Sequence, residues 1–414
     1  MGSSKIATVV AQVQTNQTTL ESTINVVGVA ASESKGITKG QIINIEEAVE
    51  ATISSVEAAE RMAGYNLNSA FVAMGGAHVH SQNSHGVVAV SDPDGEISHD
   101  DVDRVVEAAS AINLPQSREI IHVLPREFVV DGEAGVKEAY GMNGVRLEVN
   151  THMITSSSSA VKNIKKAINE VGIEIEELVF SGLAASHSTL TSTEKELGCV
   201  LVDIGGGTTS IAAFIDGALS HSCVIPIGAK NVTNDLAVGL RLNIESAEKI
   251  KVMLSDEAKK KGQTIPGADS DMVDLTEYGA TDSKKISKKT LTEAIMRPRL
   301  NEIFAMVKIE LERAGILNRI PAGVIITGGG AETVGVMESA KSVLKLPVRI
   351  GKPKGVSGLI DDVINPAFAV PVGLLVYGAK REPQERMGFL PKGFKLPNVG
   401  FANKIIDTIK NLLP

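Results

Sequence analysis

Three short turns in the sequence carry the residue types that surround bound phosphate groups. They read "GSSK" at Gly2–Lys5, "DIGGGTT" at Asp203–Thr209 and "TGGGAE" at Thr327–Glu332. Glycine has no Cβ atom, so backbone N–H groups in such turns can approach a phosphate closely. Hydroxyl groups add further donors, and they are supplied by Ser3, Ser4, Thr208 and Thr209. The pattern indicates a phosphate-binding cleft.

A single carboxylate, that of Asp203, precedes the second of these turns. A phosphate repels a carboxylate unless a cation lies between them, so Asp203 is predicted to hold Mg²⁺ through its water ligands. The alternative is that the glycines only form tight hairpin turns. Two GGG turns, each after an apolar strand in opposite halves of the chain, favour the phosphate interpretation. Neither matches a Walker A or G-x-G-x-x-G motif, so P-loop and Rossmann folds are not expected.

The composition limits the function further. The 414 residues are 43% hydrophobic and 22% charged, which is typical of a globular protein of roughly two to four domains. The formal net charge of −8 disfavours a nucleic-acid partner, which would be met by a basic face. Cys199 and Cys223 suit a reducing compartment, and each lies in an apolar run, where we expect packing in the core.

The elements expected around the turns fall into two similar halves. Each half has a strand hairpin followed by strand–helix units, and each contains an insertion. The first insertion, residues 80–155, is predicted to be a small α+β unit with Ser98 capping its helix and two strands broken at Pro125. Residues 229–254 are expected to be helical. His78 and His80 are placed on one face of a strand but find no third ligand, so exposed loop histidines are expected rather than a metal site.

The last fifteen residues, "GFANKIIDTIKNLLP", form a strongly segregated pattern. At about 100° per residue, one side of a helix collects all the large apolar side chains. These are Phe401, Ile405, Ile406, Ile409, Leu412 and Leu413. An amphipathic helix behind a polar linker suits the surface of a membrane. Docking on the body of the protein or on a partner is the alternative.

Together, "GSSKIA", "VLVDIGGGTTSIAAF", "DLAVGLRLNIESAEKIK" and "VIITGGGAETVGV" resemble the nucleotide-contacting motifs of the actin/Hsp70/sugar-kinase superfamily. Within it, the chain is most similar to the FtsA family of bacterial cell-division proteins. The resemblance implies an α/β fold of two actin-like, ribonuclease H-like halves around a nucleotide cleft, with an FtsA-type α+β insert in the first half. It also implies the cofactors ATP and Mg²⁺.

The resemblance assigns a role to each motif. The first phosphate loop would comprise Gly2, Ser3, Ser4 and Lys5, and the second Asp203 with Gly205, Gly206, Gly207, Thr208 and Thr209. Adenosine would be contacted by Glu248 and Lys251, and the base covered by Gly328, Gly329, Gly330 and Ala331.

The chain departs from the family pattern at three places. The opening strand of the family and its D-x-G aspartate precede the first phosphate loop, so a first strand is missing from the expected sheet. Ser181 stands where the superfamily often has Glu or Gln to position water, and Ser210 where a second Asp is common. Because a serine hydroxyl is not ionised near neutral pH, at most slow ATP hydrolysis is expected, and catalytic residues stay unassigned.

The resemblance divides the chain as follows: residues 1–79 and 156–195 (first actin-like half), 80–155 (insert), 196–235 and 324–380 (second half), 236–323 (lower subdomain), 381–399 (linker) and 400–414 (membrane-targeting helix). It further implies self-polymerisation, a peripheral location at the division site on the cytoplasmic face of the inner membrane, and binding of the FtsZ C-terminal tail to the lower subdomain.

Other functions within the same fold fit the sequence less well. A PilM-like ATP-binding protein of pilus assembly is the main alternative, but that family does not end in a membrane helix. A small-molecule kinase would need a catalytic aspartate, for which the sequence offers only Asp203. An Hsp70-like chaperone would need a β-rich domain after the last glycine turn and its helix.

Overall fold

The computed structural model of the protein describes residues 1–15, 22–261, 272–280 and 285–380. The chain begins with β1 (Lys5–Thr15), β2 (Ser22–Glu33), β3 (Ile37–Thr38), β4 (Gln41–Ile42), α1 (Ile45–Ala63) and β5 (Ser69–Met74). Next come β6 (His80–Ala89), α2 (His99–Ser110), β7 (Arg118–Val130), β8 (Glu133–Val136) and β9 (Arg146–Ser157). The first half closes with α3 (Ser158–Glu170), β10 (Glu174–Phe180), α4 (Ser181–Thr189) and α5 (Ser192–Leu197).

The second half begins with a strand hairpin and a helical region. Its elements are β11 (Cys199–Ile204), β12 (Thr209–Ile215), β13 (Ala218–Ile225), α6 (Ala229–Leu240), α7 (Ile244–Lys261), β14 (Met272–Asp274) and β15 (Lys285–Ser287). A π-helical turn, Thr290–Met296, leads into α8 (Arg297–Arg313). The remaining elements are β16 (Val324–Thr327), α9 (Val336–Leu344), β17 (Val348–Ile350), β18 (Ser357–Gly358), α10 (Ile360–Val363) and α11 (Ala369–Ala379).

The second half is built on one continuous sheet with the strand order β13-β12-β11-β16-β17. Strand β11 runs antiparallel to β12 and parallel to β16, and every residue of these three strands is buried. Strands covered on both faces read as continuous apolar runs, as "CVLVDI" and "VIIT" do. The Gly205–Thr208 turn therefore lies at the end of a rigid hairpin, and the Thr327 end of β16 lies beside it.

The first half has two separate sheets at its centre, whereas the second half has one. One sheet has the order β1-β2-β18, and the other pairs β5 with β10 in parallel. Helix α11 packs against both β1 and β5. Between these two strands runs an extension of the cleft, lined by Ile6, Val10, Ala70 and Val72. In the described residues no strand joins β1 to β5, so the two sheets are separate.

The predicted insert folds as a four-stranded antiparallel sheet of order β6-β9-β7-β8 with helix α2 packed on it. Ser98 and Asp101 form the predicted capping box. The prediction of two strands broken at Pro125 is wrong, because β7 continues through it with a register shift between Pro125 and Glu127. Such an irregularity accommodates the missing N–H of proline within one strand.

Residues 229–254 are helical as predicted, and they form two helices because Arg241 ends α6 in the left-handed region at φ 57°. One further local prediction is wrong. His78 is neither exposed nor on a strand, since it is buried in the turn before β6. Its Nδ1 atom lies 3.4 Å from the side-chain nitrogen of Gln41. His80 begins β6, so the two histidines do not share a strand face.

Candidate functional site

A cavity of about 1020 Å³ lies between the two halves and is lined by all three turns predicted to contact a nucleotide. From the first turn it is lined by Gly2, Ser3, Ser4 and Lys5, from the second by Asp203, Gly205, Gly206 and Thr208, and from the third by Gly328, Gly329 and Gly330. Glu248 and Lys251 line it as well. Segments more than 300 residues apart in sequence thus meet in one cleft, of the size that holds small-molecule ligands.

The first two turns touch each other directly. A Cβ atom on Gly206 would lie 2.8 Å from Cβ of Ser4, and one on Gly207 would lie 3.0 Å from Cβ of Ser3. The Ser3 hydroxyl in turn accepts a hydrogen bond of 2.9 Å from the N–H of Gly40. Only glycine permits so close an approach of two backbones. The glycines at 206 and 207 therefore bring the first turn onto the second.

Lys230, which the sequence analysis missed, ties these turns to the start of helix α6. Its Nζ atom donates to the carbonyl of Ser3 at 2.6 Å, and its N–H donates to the carbonyl of Gly206 at 2.8 Å. The first two N–H groups of α6, those of Ala229 and Lys230, donate to the carbonyls of Gly205 and Gly206. The positive charge that Lys230 brings to the glycine turns is therefore that of its ammonium group. The signal in the sequence was Gly228 followed by a helix start after an apolar strand.

Lys5 is a second cation at the cleft. Its Nζ atom lies 3.6 Å from the centre of the Phe368 ring, which belongs to the second half. Burial lowers the pKa of Lys5 to about 8, and the charge of Glu332 opposes that shift. Glu332 itself accepts hydrogen bonds from Lys259 at 2.9 Å and from Asn365 at 2.8 Å. These contacts connect the first turn to the segments around the third.

Asp203 is buried at the end of β11 and lines the cavity. Burial raises the pKa of its carboxyl group to about 7. Within the described residues its carboxylate has no hydrogen-bond or ion-pair partner. A Cβ atom on Gly328 would lie 2.3 Å from its Oδ1 atom, so the third turn lies against it. A buried carboxylate that faces a polar cleft without a partner fits the predicted contact with a hydrated Mg²⁺ ion.

Glu248 and Lys251 form one connected group on helix α7. Lys251 is buried, and its Nζ atom donates to Glu248 at 2.7 Å and to the Thr233 hydroxyl at 2.9 Å. Thr233 in turn donates to the Glu248 carboxylate. The predicted pair is therefore brought together at the cavity wall, and Thr233 is a third member that the sequence did not indicate.

Three predicted residues do not reach the cavity. Thr209 is fully buried, and its hydroxyl donates to the carbonyl of Ile227 at 2.8 Å, so it does not fit the predicted role of phosphate donor. Gly207 lies behind Ser3, and Ala331 is buried. Thr209 is the first residue of β12, a strand in which every residue is buried.

Ser181 and Ser210, the residues at the expected water-positioning corner, also line the cavity. Their hydroxyl oxygens lie 2.9 Å apart. Neither group is ionised near neutral pH, so this pair offers hydrogen bonds but no general base.

Family comparisons agree with the resemblance seen in the sequence. A model described as "SHS2 domain inserted in FTSA" matches residues 76–155, and one described as "Cell division protein FtsA" matches residues 200–373. The cell division protein FtsA of Pseudomonas aeruginosa is 39% identical over 382 residues, which cover 92% of this chain and 88% of that protein. The chain belongs to the FtsA family. FtsA of Escherichia coli K12 is 34% identical over 385 residues, covering 91% of this chain and 89% of the relative.

A solved structure described as a "PilM-PilN type IV pilus biogenesis complex" has a similar fold. Its TM-score is 0.63 at 16% identity, and the match covers 92% of this chain and 97% of that one. This likeness supports the fold class, the two actin-like halves, and by itself says nothing about function. The insert matched by the first family model is the α+β unit of β6 to β9 in this FtsA-family chain.

The residues predicted to contact membrane lipid, Phe401 to Leu413, lie outside the described residues. Among the described residues, no helix combines the length and the apolar character that crossing a bilayer requires.

Proposed function

We propose that this FtsA-family chain binds ATP with Mg²⁺ in the cleft and acts as a polymerising adaptor between FtsZ and the membrane. The observation that carries the nucleotide part is the meeting of three glycine turns and Asp203 in one cavity. Membership of the cell-division family supports the adaptor part.

Each group in the cleft has a role in this proposal. Lys5 and Lys230 supply positive charge for phosphates, and the turn N–H groups supply donors. The Mg²⁺ ion would be held through water by Asp203 and would neutralise phosphate charge. Glu248 and Lys251 would contact the adenosine, and the turn of Gly328 to Gly330 would cover the base.

The same cleft favours binding over turnover. Ser181 and Ser210 can hold a water molecule but cannot accept its proton at neutral pH. We therefore propose a nucleotide-dependent switch or filament subunit whose hydrolysis of ATP is at most slow. Head-to-tail assembly of actin-like subunits would provide the polymer.

The proposed membrane location and the proposed contact with FtsZ are inferred from the sequence. The apolar side chains Phe401, Ile405, Ile406, Ile409, Leu412 and Leu413 would insert into the cytoplasmic face of the inner membrane at the division site. The C-terminal tail of FtsZ would bind the lower subdomain, residues 236–323. Pilus assembly, the alternative that the sequence left open, gains no support from the PilM likeness, which shows the fold alone at 16% identity, whereas proteins named FtsA are 34–39% identical.

Competition binding tests the nucleotide part. A fluorescent ATP analogue is titrated with the chain, and unlabelled ATP displaces it in Mg²⁺ or in a chelator. We expect one site per chain, tighter binding in Mg²⁺, and a loss of at least about tenfold in Lys230→Met, since a cation contact to phosphate is removed. Lys35→Met, an exposed lysine outside the cleft, is the matched control. Equal affinities for the two variants would contradict the assignment.

A further inference from the structure

A cluster of three metal-ligating side chains lies outside the nucleotide cleft. His221 and Cys223 are two residues apart on β13, so their side chains project from the same face of the strand. Glu310 reaches them from helix α8. One ligand atom from each residue lies within 4.8 Å of the other two. None of the three lines the cavity between the halves.

The opposite face of β13 is already occupied. Ser222 accepts or donates a hydrogen bond of 2.6 Å with Nε2 of His152, and its N–H donates to the Ser81 hydroxyl. These contacts join β13 to the insert. His221 and Cys223 lie on the side of β13 that Glu310 of α8 reaches.

Polar atoms of the cluster lack hydrogen-bond partners among the described residues. The Nε2 atom of His221 is buried and has no hydrogen-bond partner in the described structure. Cys223 is a free, partly buried cysteine that packs against the hydrophobic core of the second half, as the sequence predicted. Glu310 accepts one bond of 2.8 Å, from Arg313. A buried polar group without a partner costs free energy that a bound cation would recover.

The set of donors selects the ion. Imidazole nitrogen, thiolate sulfur and carboxylate oxygen together are ligands of Zn²⁺, whereas Mg²⁺ and Ca²⁺ prefer oxygen alone. Around a tetrahedral zinc ion, neighbouring ligand atoms lie about 3.3–3.8 Å apart, as follows from bonds of about 2.0–2.3 Å. The three ligand atoms lie within 4.8 Å of one another, so side-chain movements of about 1 Å would bring them to these separations. The partial exposure of all three residues leaves a path for entry.

We propose that His221, Cys223 and Glu310 bind one Zn²⁺ ion, with water at the fourth position. The ion would join β13, the edge strand of the second-half sheet, to α8, a helix of the neighbouring helical region. An edge strand has only one strand partner, so a metal link there stabilises the sheet margin. The site is independent of the nucleotide cleft.

Metal titration of the full chain tests this proposal. After treatment with a chelator, the protein is titrated with Zn²⁺ against a chromophoric chelator, in Mg²⁺ and ATP. We expect one Zn²⁺ per chain and a rise in the thermal unfolding midpoint. Cys223→Ser, His221→Gln and Glu310→Gln should each weaken binding by about 100-fold or more, since even indirect contacts to a zinc ion contribute 10- to 100-fold.

Two matched controls keep the test specific. Cys199→Ala removes the other cysteine, which is fully buried in the core, and Glu312→Gln removes a neighbouring exposed carboxylate of α8. Both should bind Zn²⁺ as the unmodified chain does. Co²⁺ gives a readout that needs no variant, since a bound thiolate produces a sulfur-to-cobalt charge-transfer band. No bound Zn²⁺, no such band, or equal affinity in Cys223→Ser and Cys199→Ala would overturn the proposal.

Discussion

Gly328 lies directly against the carboxylate of Asp203, so that a Cβ atom added at Gly328 would come within 2.3 Å of Oδ1. The two residues end neighbouring parallel strands, β16 and β11. Gly328 also has a φ of 83°, in the left-handed region that favours glycine. The third glycine turn is thus shaped around the one buried carboxylate that we assign to Mg²⁺.

Gly328→Ala should therefore destabilise the protein by about 2–4 kcal/mol, the sum of about 1 kcal/mol for the left-handed backbone and 1–3 kcal/mol for overpacking. Gly64→Ala is the matched control, because Gly64 has a φ of 84° with no atom within 4 Å of the added Cβ. It should cost only about 1 kcal/mol. Urea denaturation measures both, and equal losses would show that Asp203 does not crowd Gly328.

Asp203→Asn should stabilise the metal-free protein above pH 7. Burial raises the pKa of Asp203 from 3.8 to about 7 in the folded state. Between these values the folded state binds more protons than the unfolded one, so stability falls as pH rises. The asparagine side chain of the variant does not ionise, so the variant keeps this free energy of unfolding. The difference in free energy of unfolding between the variant and the unmodified chain should grow from none near pH 4 to at most about 4 kcal/mol at pH 8, at 1.36 kcal/mol per pKa unit.

Denaturation of the metal-free protein from pH 4 to pH 8 measures this advantage. Asp94→Asn, which changes an exposed loop residue, should follow the unmodified chain. Asp203→Asn should also lose the strengthening of ATP binding by Mg²⁺. A pH-independent difference in stability would contradict the assignment of a raised pKa.

Gly206→Ala should weaken ATP binding by about tenfold or more, because the new methyl group would push the Ser4 turn off the Gly206 turn. Ser4→Gly alone should cost less, since it removes one hydroxyl. In the double variant the two Cβ atoms no longer collide, so its affinity should lie above that of Gly206→Ala. Such coupling is measured by a double-mutant cycle. Simple additivity would show that the two turns do not act together.

Lys251→Met should weaken ATP binding and lower stability together. The change removes the buried ammonium group that donates to both Glu248 and Thr233. Because Glu248 is 45% exposed and keeps its hydrogen bond from Thr233, the loss of stability should be about 1 kcal/mol. Lys165→Met, the control, alters an exposed lysine of α3 that does not line the cavity. It should change stability by less than about 0.5 kcal/mol. Titration and urea denaturation of both variants check this, and a stable Lys251→Met with full affinity would rule out the role.

Local pattern predicted the strands, the glycine turns and Asp203, because apolar runs and glycines dictate conformation over a few residues. It could not predict Lys230 or Thr233, whose partners are fixed only by folding. The bond from Lys230 to Ser3 spans 227 positions of sequence. Thr209 was misassigned because its neighbour Thr208 faces the cavity, and the direction of each hydroxyl depends on where β12 begins.

The nucleotide cleft shows a further limit of sequence reasoning. The residue types of its motifs and their order along the chain could be recognised from the sequence. The contacts that bring the motifs together, such as that between the turns of Gly206 and Ser4, form only in the folded protein. The α+β character of the insert could be predicted because its order of short strands and one helix differs from the pattern of the flanking segments. The continuity of β7 through Pro125 was missed, since a proline in a strand normally marks an edge or an end.

Recruitment of FtsZ to liposomes tests the adaptor role most directly. FtsZ filaments and liposomes are sedimented with the intact chain, or with a copy ending at Pro397, in the presence and absence of ATP. We predict that FtsZ pellets with liposomes only when the intact chain is present, and that the shortened copy leaves FtsZ in solution. Equal pelleting with both copies, or with neither, would contradict the account of this chain as a membrane tether for FtsZ.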